Sequence, residues 1–224
     1  MREVVLDTET TGLDPALGHR VVEIGCVELV NHVPSGRSLQ LYINPDREMP
    51  ADAFEVHGLS DAFLADKPRF HEVVGEVLGF LGDSPLVIHN AGFDLRFLNA
   101  ELAALDLPPI ATARAIDTVQ LARAKYPGAP ASLDALCRRF AIDASARGKH
   151  GALLGAELLA EVYLELIGGR QPDLTLDAAA DAGGEAAASR PLRPPRPHAP
   201  SPAELAAHEA FIAREIKAPI WRRP

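Results

Sequence analysis

Residues 3–12 read Glu-Val-Val-Leu-Asp-Thr-Glu-Thr-Thr-Gly. The apolar start, residues 3–6, predicts a short strand that stops at a run of acid and hydroxyl residues, which Gly12 closes. Side chains two apart in a strand point the same way, so Asp7 and Glu9 would place two carboxylates together at an exposed sheet end. A lone pair of this kind more often marks a polar strand-to-turn transition. Paired like charges nevertheless favour a site for a hard cation such as Mg²⁺ or Mn²⁺.

The chain around this stretch predicts an α/β fold. Three early strands precede strands and helices in alternation, which favours a mixed sheet with helices packed on it. The predicted strands cover 3–6, 20–30, 37–43 and 86–90, and the predicted helices cover 69–81, 93–105, 117–125, 132–140 and 149–167.

Two further polar clusters lie where this organisation predicts the ends of elements. Asp94 follows the apolar strand at 86–90, near the start of the next helix. Alone it would be an ordinary first-turn acid favoured by the helix dipole. Beside Asp7 and Glu9 it indicates a shared site. His150 lies at the start of a long apolar-faced helix, where a histidine is usually a surface residue. Near bound metal it could take a proton from water, because its ordinary pKa lies near the working pH.

Composition excludes several classes of protein. The 224 residues are 47% hydrophobic, which excludes a chain disordered throughout. The longest apolar runs are too short to span a bilayer, and the two cysteines cannot form a disulfide scaffold, so we expect a cytoplasmic protein with no membrane partner. The net charge of −9 argues against binding nucleic acid through a broad basic face. An acidic chain can still act on nucleic acid when metal ions or a partner supply positive charge.

Three ordered motifs carry a family resemblance. Residues 7–12 (DTETTG), 89–94 (HNAGFD) and 150–156 (HGALLGA) resemble the three exonuclease motifs of the DnaQ-like DEDDh 3′–5′ exonucleases, and in particular the proofreading subunits of bacterial replicative polymerases. The resemblance covers essentially residues 1–169. It implies a ribonuclease-H-like fold with a five-stranded sheet, and removal of single nucleotides from a DNA 3′ end with two divalent ions, Mg²⁺ or Mn²⁺.

The resemblance also implies roles for individual residues. Asp7, Glu9 and Asp94 match the metal ligands, and His150 matches the general base. Eight residues match positions that bind the terminal nucleotide: Thr8, Thr11, Leu13, Asp52, Val56, His57, Asn90 and Phe93.

One departure from the family pattern concerns the chemistry itself. The family has an aspartate five residues after the motif histidine, and this chain has Gly155 there. The nearest acid, Glu157, lies two residues on, about 200° around a helix. With this ligand position vacant, we expect the chain to keep the fold but to be strongly impaired.

The remaining chain predicts a tether. Residues 170–176 resemble the short peptides that bind the sliding clamp, with Gln171, Leu174 and Leu176 as contacts. Residues 177–200 are rich in Ala, Gly and Pro and predict a flexible linker. Residues 201–224 predict a partner-binding helix with an N-cap at Ser201, which resembles the segment that holds the polymerase catalytic subunit. Its expected contacts are Leu205, Phe211, Ile212, Ile216 and Trp221.

Three hypotheses follow from the sequence. The first is a proofreading exonuclease of the replicase, and the second is a stand-alone DEDDh nuclease acting on small RNA or DNA ends. The third is a non-catalytic subunit that bridges polymerase and clamp, which Gly155 favours. Binding to a polymerase separates the second from the others, and metal-dependent turnover separates the first from the third.

Overall fold

The computed structural model describes residues 1–144, 151–168 and 199–216, and it divides into two units, Met1–Leu174 and Thr175–Pro224. The described part of the first unit has five strands: β1 (Arg2–Thr10), β2 (Val21–Val30), β3 (Val33–Tyr42), β4 (Leu86–Ile88) and β5 (Ala115–Asp117). Its α-helices are α1 (Ala51–His57), α2 (Asp61–Leu64), α3 (Phe70–Leu81), α4 (Ala91–Ala103), α5 (Thr118–Lys125), α6 (Leu133–Phe140) and α7 (Ala152–Leu166).

The strands form one mixed sheet in the order β3-β2-β1-β4-β5. The β1–β2 and β2–β3 pairs are antiparallel, whereas β4 runs parallel to β1 and β5 runs parallel to β4. The predicted mixed α/β sheet flanked by helices is therefore confirmed. Parallel neighbours end at the same edge, so the residues after β1 and β4 lie together.

Strand β1 lies at the centre of the core because both of its faces are covered. Val4 and Leu6 are fully buried in one cluster with residues of α3 and α4. Val5 is fully buried in a second cluster with residues of α5, α6 and α7. Full burial of a side chain of this size contributes roughly 1.5–3 kcal/mol, so these three residues anchor the strand that carries the acidic motif.

A glycine in β2 lets helix α7 lie directly on the sheet. Gly25 is the cross-strand neighbour of Asp7. A Cβ added to Gly25 would overlap the backbone of Ala152 and Leu153, in the first turn of α7. The residue type at this position therefore decides how closely α7 approaches β1 and β2.

The structure corrects several predicted boundaries. Strand β1 does not stop at residue 6 but continues to Thr10, because Asp7 to Thr10 pair with β2. Helices α1 and α2 were not predicted from the sequence. The predicted clamp-binding peptide, and all but residues 199–200 of the predicted linker, lie outside the described residues.

The described part of the second unit is helix α8 (Pro202–Glu215). Its predicted N-cap is confirmed, since the Ser201 hydroxyl accepts a hydrogen bond from the Glu204 backbone N–H at 3.3 Å. Leu205 and Phe211 are half exposed, Ile212 is buried and Ile216 is partly buried. Trp221 lies outside the described residues. None of the helices in the described ranges is long and apolar enough to cross a membrane.

Candidate active site

Two carboxylates project from the end of β1. Asp7 lies opposite Gly25 and Glu9 opposite Glu23 in the antiparallel pair with β2. Because side chains alternate along a strand, Asp7 and Glu9 share one sheet face, the face that α7 covers. Both are partly exposed, unlike the three apolar residues that precede them.

Helix α4 brings the third acid to the same strand. Asp94 lies in the first turn of α4 and is only 3% exposed. The Thr8 hydroxyl donates a hydrogen bond to Asp94 Oδ1 at 2.7 Å, which ties the helix to β1. Burial, followed by the charge of Asp7, raises the pKa of Asp94 well above its usual value. The structure therefore brings Asp94 close enough to Asp7 for the two charges to interact, as the two motifs predict.

The chemistry of this donor set fits a hard divalent cation. Carboxylate oxygens are the ligands that Mg²⁺ and Mn²⁺ prefer. A buried carboxylate beside a second carboxylate is costly without a compensating positive charge. Within residues 1–144, 151–168 and 199–216, however, no three His, Cys, Asp or Glu side chains are grouped so that they could hold an ion. Metal ligation by Asp7, Glu9 and Asp94 therefore stays a prediction.

Gly155 lies directly against Asp7. A Cβ added to Gly155 would overlap Asp7 Oδ2 and would lie 3.0 Å from Asp7 Cγ. The Asp7 carboxylate thus fills the space into which a side chain at position 155 would project. Gly155 is buried whereas Glu157 is exposed, so Glu157 faces away from this place and does not substitute for the family's aspartate.

The predicted general base lies just before helix α7 in the sequence. His150 belongs to the segment 145–150, which lies outside the described residues. The described chain resumes at Gly151, the N-cap of α7.

The residues predicted to bind the terminal nucleotide fall into two groups. Leu13 is 79% exposed and Val56 is 49% exposed, so both present apolar side chains to solvent. Thr11 and His57 are buried and have local hydrogen bonds. Thr11 Oγ1 accepts from the Arg20 backbone N–H at 3.0 Å, and His57 Nδ1 accepts from the Leu59 backbone N–H at 3.0 Å.

The other predicted nucleotide contacts also divide into exposed and buried residues. Asp52 is exposed in the first turn of α1. Asn90 is exposed immediately before α4, whereas Phe93 is partly buried with its ring centroid 5.0 Å from that of Phe97. Thr8 uses its hydroxyl to hold Asp94. Thr8, Thr11 and Phe93 therefore contact neighbouring residues. The exposed members of the set are Leu13, Val56, Asp52 and Asn90.

The sequence analysis missed one acid at this edge. Glu23 is 1% exposed, lies opposite Glu9 and accepts a hydrogen bond from Gln40 Nε2 at 2.8 Å. This pair lies next to a β-bulge between Glu9 and Thr10, which the sequence pattern does not reveal. On the opposite sheet face, burial and the charge of Asp7 raise the pKa of Cys26 to about 12, so this thiol stays protonated.

Comparison with known proteins agrees with this geometry. Residues 4–163 match the RNase_T family, described as an exonuclease. The DNA polymerase III subunit epsilon of Rickettsia felis is 55% identical over 174 residues, which are 76% of each chain. The Salmonella typhimurium protein of the same name is 42% identical over 237 residues, and the match covers 99% of this chain and 97% of that one. A structure of exonuclease X with 5′-overhanging duplex DNA superposes with a TM-score of 0.60 at 27% identity, over 74% of this chain and 90% of that one.

Proposed function

Because the chain belongs to the RNase_T exonuclease family, as a proofreading 3′–5′ exonuclease subunit of the DNA polymerase III epsilon type, we propose that its reaction takes place at the end of β1. Asp7, Glu9 and Asp94 hold two divalent ions there, Mg²⁺ or Mn²⁺. The observation that carries this proposal is the buried Asp94, tied to β1 by Thr8 and close to the charge of Asp7.

The chain's own groups prepare the reaction in three ways. Thr8 fixes the Asp94 carboxylate, and helix α7 packs against the Asp7 carboxylate at Gly155. His150 accepts the proton from the attacking water, a role taken from the family motif. When bound, two divalent ions activate that water and stabilise the leaving 3′ oxygen.

Accessible apolar and polar groups hold the terminal nucleotide. Leu13 and Val56 supply exposed apolar surface against which a base can pack, at no cost to the core. Asp52 and Asn90 supply polar contacts from α1 and from the turn before α4. A mismatched end, which frays more readily, delivers single-stranded nucleotides to this surface.

Gly155 makes this chain a weak catalyst. Its position offers no fourth carboxylate, and the exposed Glu157 faces away. This observation supports a second candidate function, a stabilising subunit that bridges polymerase and clamp without turnover. The two candidates share the fold and differ only in metal-dependent release of nucleotides.

The C-terminal part attaches the nuclease to the replicase. Residues 201–224 bind the polymerase catalytic subunit, with Leu205, Phe211, Ile216 and Trp221 as the contacts. Ile212, which the sequence also predicted as a contact, is buried. The capped helix and its half-exposed apolar residues support this assignment, since a helix of this length needs a partner surface to be stable. Gln171, Leu174 and Leu176 bind the sliding clamp, and 177–200 links the two functions.

A Mn²⁺ titration of the full chain carrying Gly155→Asp, followed by electron paramagnetic resonance, tests the assigned ligands. We expect Asp94→Asn to weaken Mn²⁺ binding by more than ~10-fold, because ligand loss should cost at least as much as loss of an outer partner. Asp106→Asn is the matched control, since Asp106 is exposed just beyond the other end of α4. Equal Mn²⁺ affinity in the Asp94→Asn and Asp106→Asn chains would contradict the proposal.

A further inference from the structure

The turn between β4 and α4 contains a residue in the left-handed backbone conformation. Asn90, the residue before α4, has φ 66° and ψ 56°, which is the left-handed region. Asparagine enters this region more readily than most non-glycine residues, and contacts with neighbouring groups keep it there. The Asn90 carbonyl accepts a hydrogen bond from the Phe93 backbone N–H at 2.9 Å, so this residue determines where α4 begins. Asp94 follows four residues later, in the first turn.

Asp117, at the end of the neighbouring strand β5, holds this turn. Its Oδ1 accepts a hydrogen bond from the Asn90 backbone N–H at 3.3 Å. The same oxygen caps α5 by accepting from the Val119 backbone N–H at 2.9 Å. One carboxylate oxygen therefore joins the start of α5 to the left-handed residue before α4.

Thr118 holds the two residues just before Asn90. It is fully buried, and its Oγ1 lies 2.9 Å from Nδ1 of His89. The same hydroxyl donates to the Ile88 backbone carbonyl at 3.3 Å. Asp117 and Thr118 thus contact three consecutive residues, Ile88 to Asn90, from one side.

We propose that Asp117 and Thr118 are positioning residues that set the place of Asp94 through this turn. Asp94 is held from β1 by Thr8, and the turn holds its helix from β5, so its carboxylate is fixed from both neighbouring strands. The inference rests on the proposed function, because the position of Asp94 matters for the reaction only if Asp94 is a metal ligand.

If Asp117 only capped α5, its replacement would lower the Tm without changing kcat or Mn²⁺ affinity. The chain offers a matched control for that case. Ser132 caps α6 as Asp117 caps α5, since its hydroxyl accepts from the Ala135 backbone N–H at 3.3 Å. No hydrogen bond of Ser132 reaches the β4–α4 turn in the described structure. Ser132→Ala therefore reports the loss of a helix cap alone.

The experiment uses the full chain carrying Gly155→Asp, with kcat and KM for a mismatched primer, Mn²⁺ affinity and Tm measured in each variant. We expect Asp117→Ala and Thr118→Val to lower kcat and Mn²⁺ affinity by roughly 10–100-fold with little change in KM, as loss of outer-shell partners does. Asp117→Asn and Thr118→Ser, which keep the acceptor and the hydroxyl, should recover most of both. Ser132→Ala should lower Tm only.

Two results would overturn the inference. One is that Asp117→Ala behaves like Ser132→Ala, with a lower Tm but unchanged kcat and Mn²⁺ affinity. The other is that the conservative variants lose as much as Asp117→Ala and Thr118→Val. If the Gly155→Asp parent cuts no DNA, the proposed function fails separately, and the Mn²⁺ affinities still decide whether Asp117 and Thr118 position Asp94.

Discussion

Replacing Gly155 by aspartate is expected to raise the rate of nucleotide release from a mismatched 3′ primer end by about 100-fold or more. The substitution adds a carboxylate where α7 lies against Asp7. Losing an outer-shell partner of a metal typically costs ~10–100-fold, and a direct ligand should cost at least as much. The new Cβ would overlap Asp7 Oδ2, but that atom is the end of a rotatable side chain and can move aside. Initial rates with Mg²⁺ and with Mn²⁺ measure the effect.

Gly155→Ala is the matched control for this gain. It adds the same Cβ and moves Asp7 in the same way, but it brings no carboxylate. We expect its rate to equal or fall below that of the parent chain. A gain in Gly155→Ala as large as that in Gly155→Asp would show that the position of Asp7, and not a missing ligand, limits turnover.

The second large effect is expected at Gly25, whose replacement by alanine should destabilise the chain by about 3 kcal/mol or more. Overpacking typically costs ~1–3 kcal/mol, and here the Cβ would overlap backbone atoms of Ala152 and Leu153, which cannot rotate away. Helix α7 would have to lift from β2, and since Asp7 lies opposite Gly25, the contact between Asp7 and Gly155 would be lost with it. Urea denaturation followed by circular dichroism gives the free energy of unfolding.

Gly75→Ala makes the same chemical change but is expected to have the opposite effect on the free energy of unfolding. Gly75 lies within α3, and a Cβ there would meet no heavy atom within 4 Å. Since alanine favours a helix interior over glycine by roughly 0.5–1 kcal/mol, this variant should be slightly more stable than the parent. If the Gly25→Ala chain were as stable as the Gly75→Ala chain, this would contradict the close packing of α7 on β2.

Much of the fold could be predicted from alternation and helical spacing. Strand β2 and helix α3 lie within one residue of their predicted bounds, because their apolar residues repeat with clear periods, whereas β3 begins four residues earlier than predicted. Strand β1 was predicted too short, since a run of acids and hydroxyls does not resemble a strand until the pairing partner is known. Helices α1 and α2 were missed because seven and four residues carry too little periodicity.

The acidic residues of the site could be predicted from the sequence, but the contacts that hold them in place could not. Asp7, Glu9 and Asp94 stood out because each followed an apolar strand. The role of Thr8 as the tie to Asp94, the pairing of Glu23 with Glu9 and the bonds from Asp117 all depend on strand order and register. Likewise, the contact between Gly155 and Asp7 joins residues 148 positions apart, so the sequence identified the missing acid but not the carboxylate that fills its space.

The most direct test of a 3′–5′ exonuclease centred on β1 is digestion of a mismatched primer labelled at one end or the other. The full chain carrying Gly155→Asp is used with Mg²⁺ or Mn²⁺, beside the same chain with Asp7→Asn. We predict release of single nucleotides from a 3′ label and stepwise shortening of a 5′-labelled strand, with both lost in EDTA and in Asp7→Asn. An intact primer, or release that begins at the 5′ end or survives Asp7→Asn, would contradict the account.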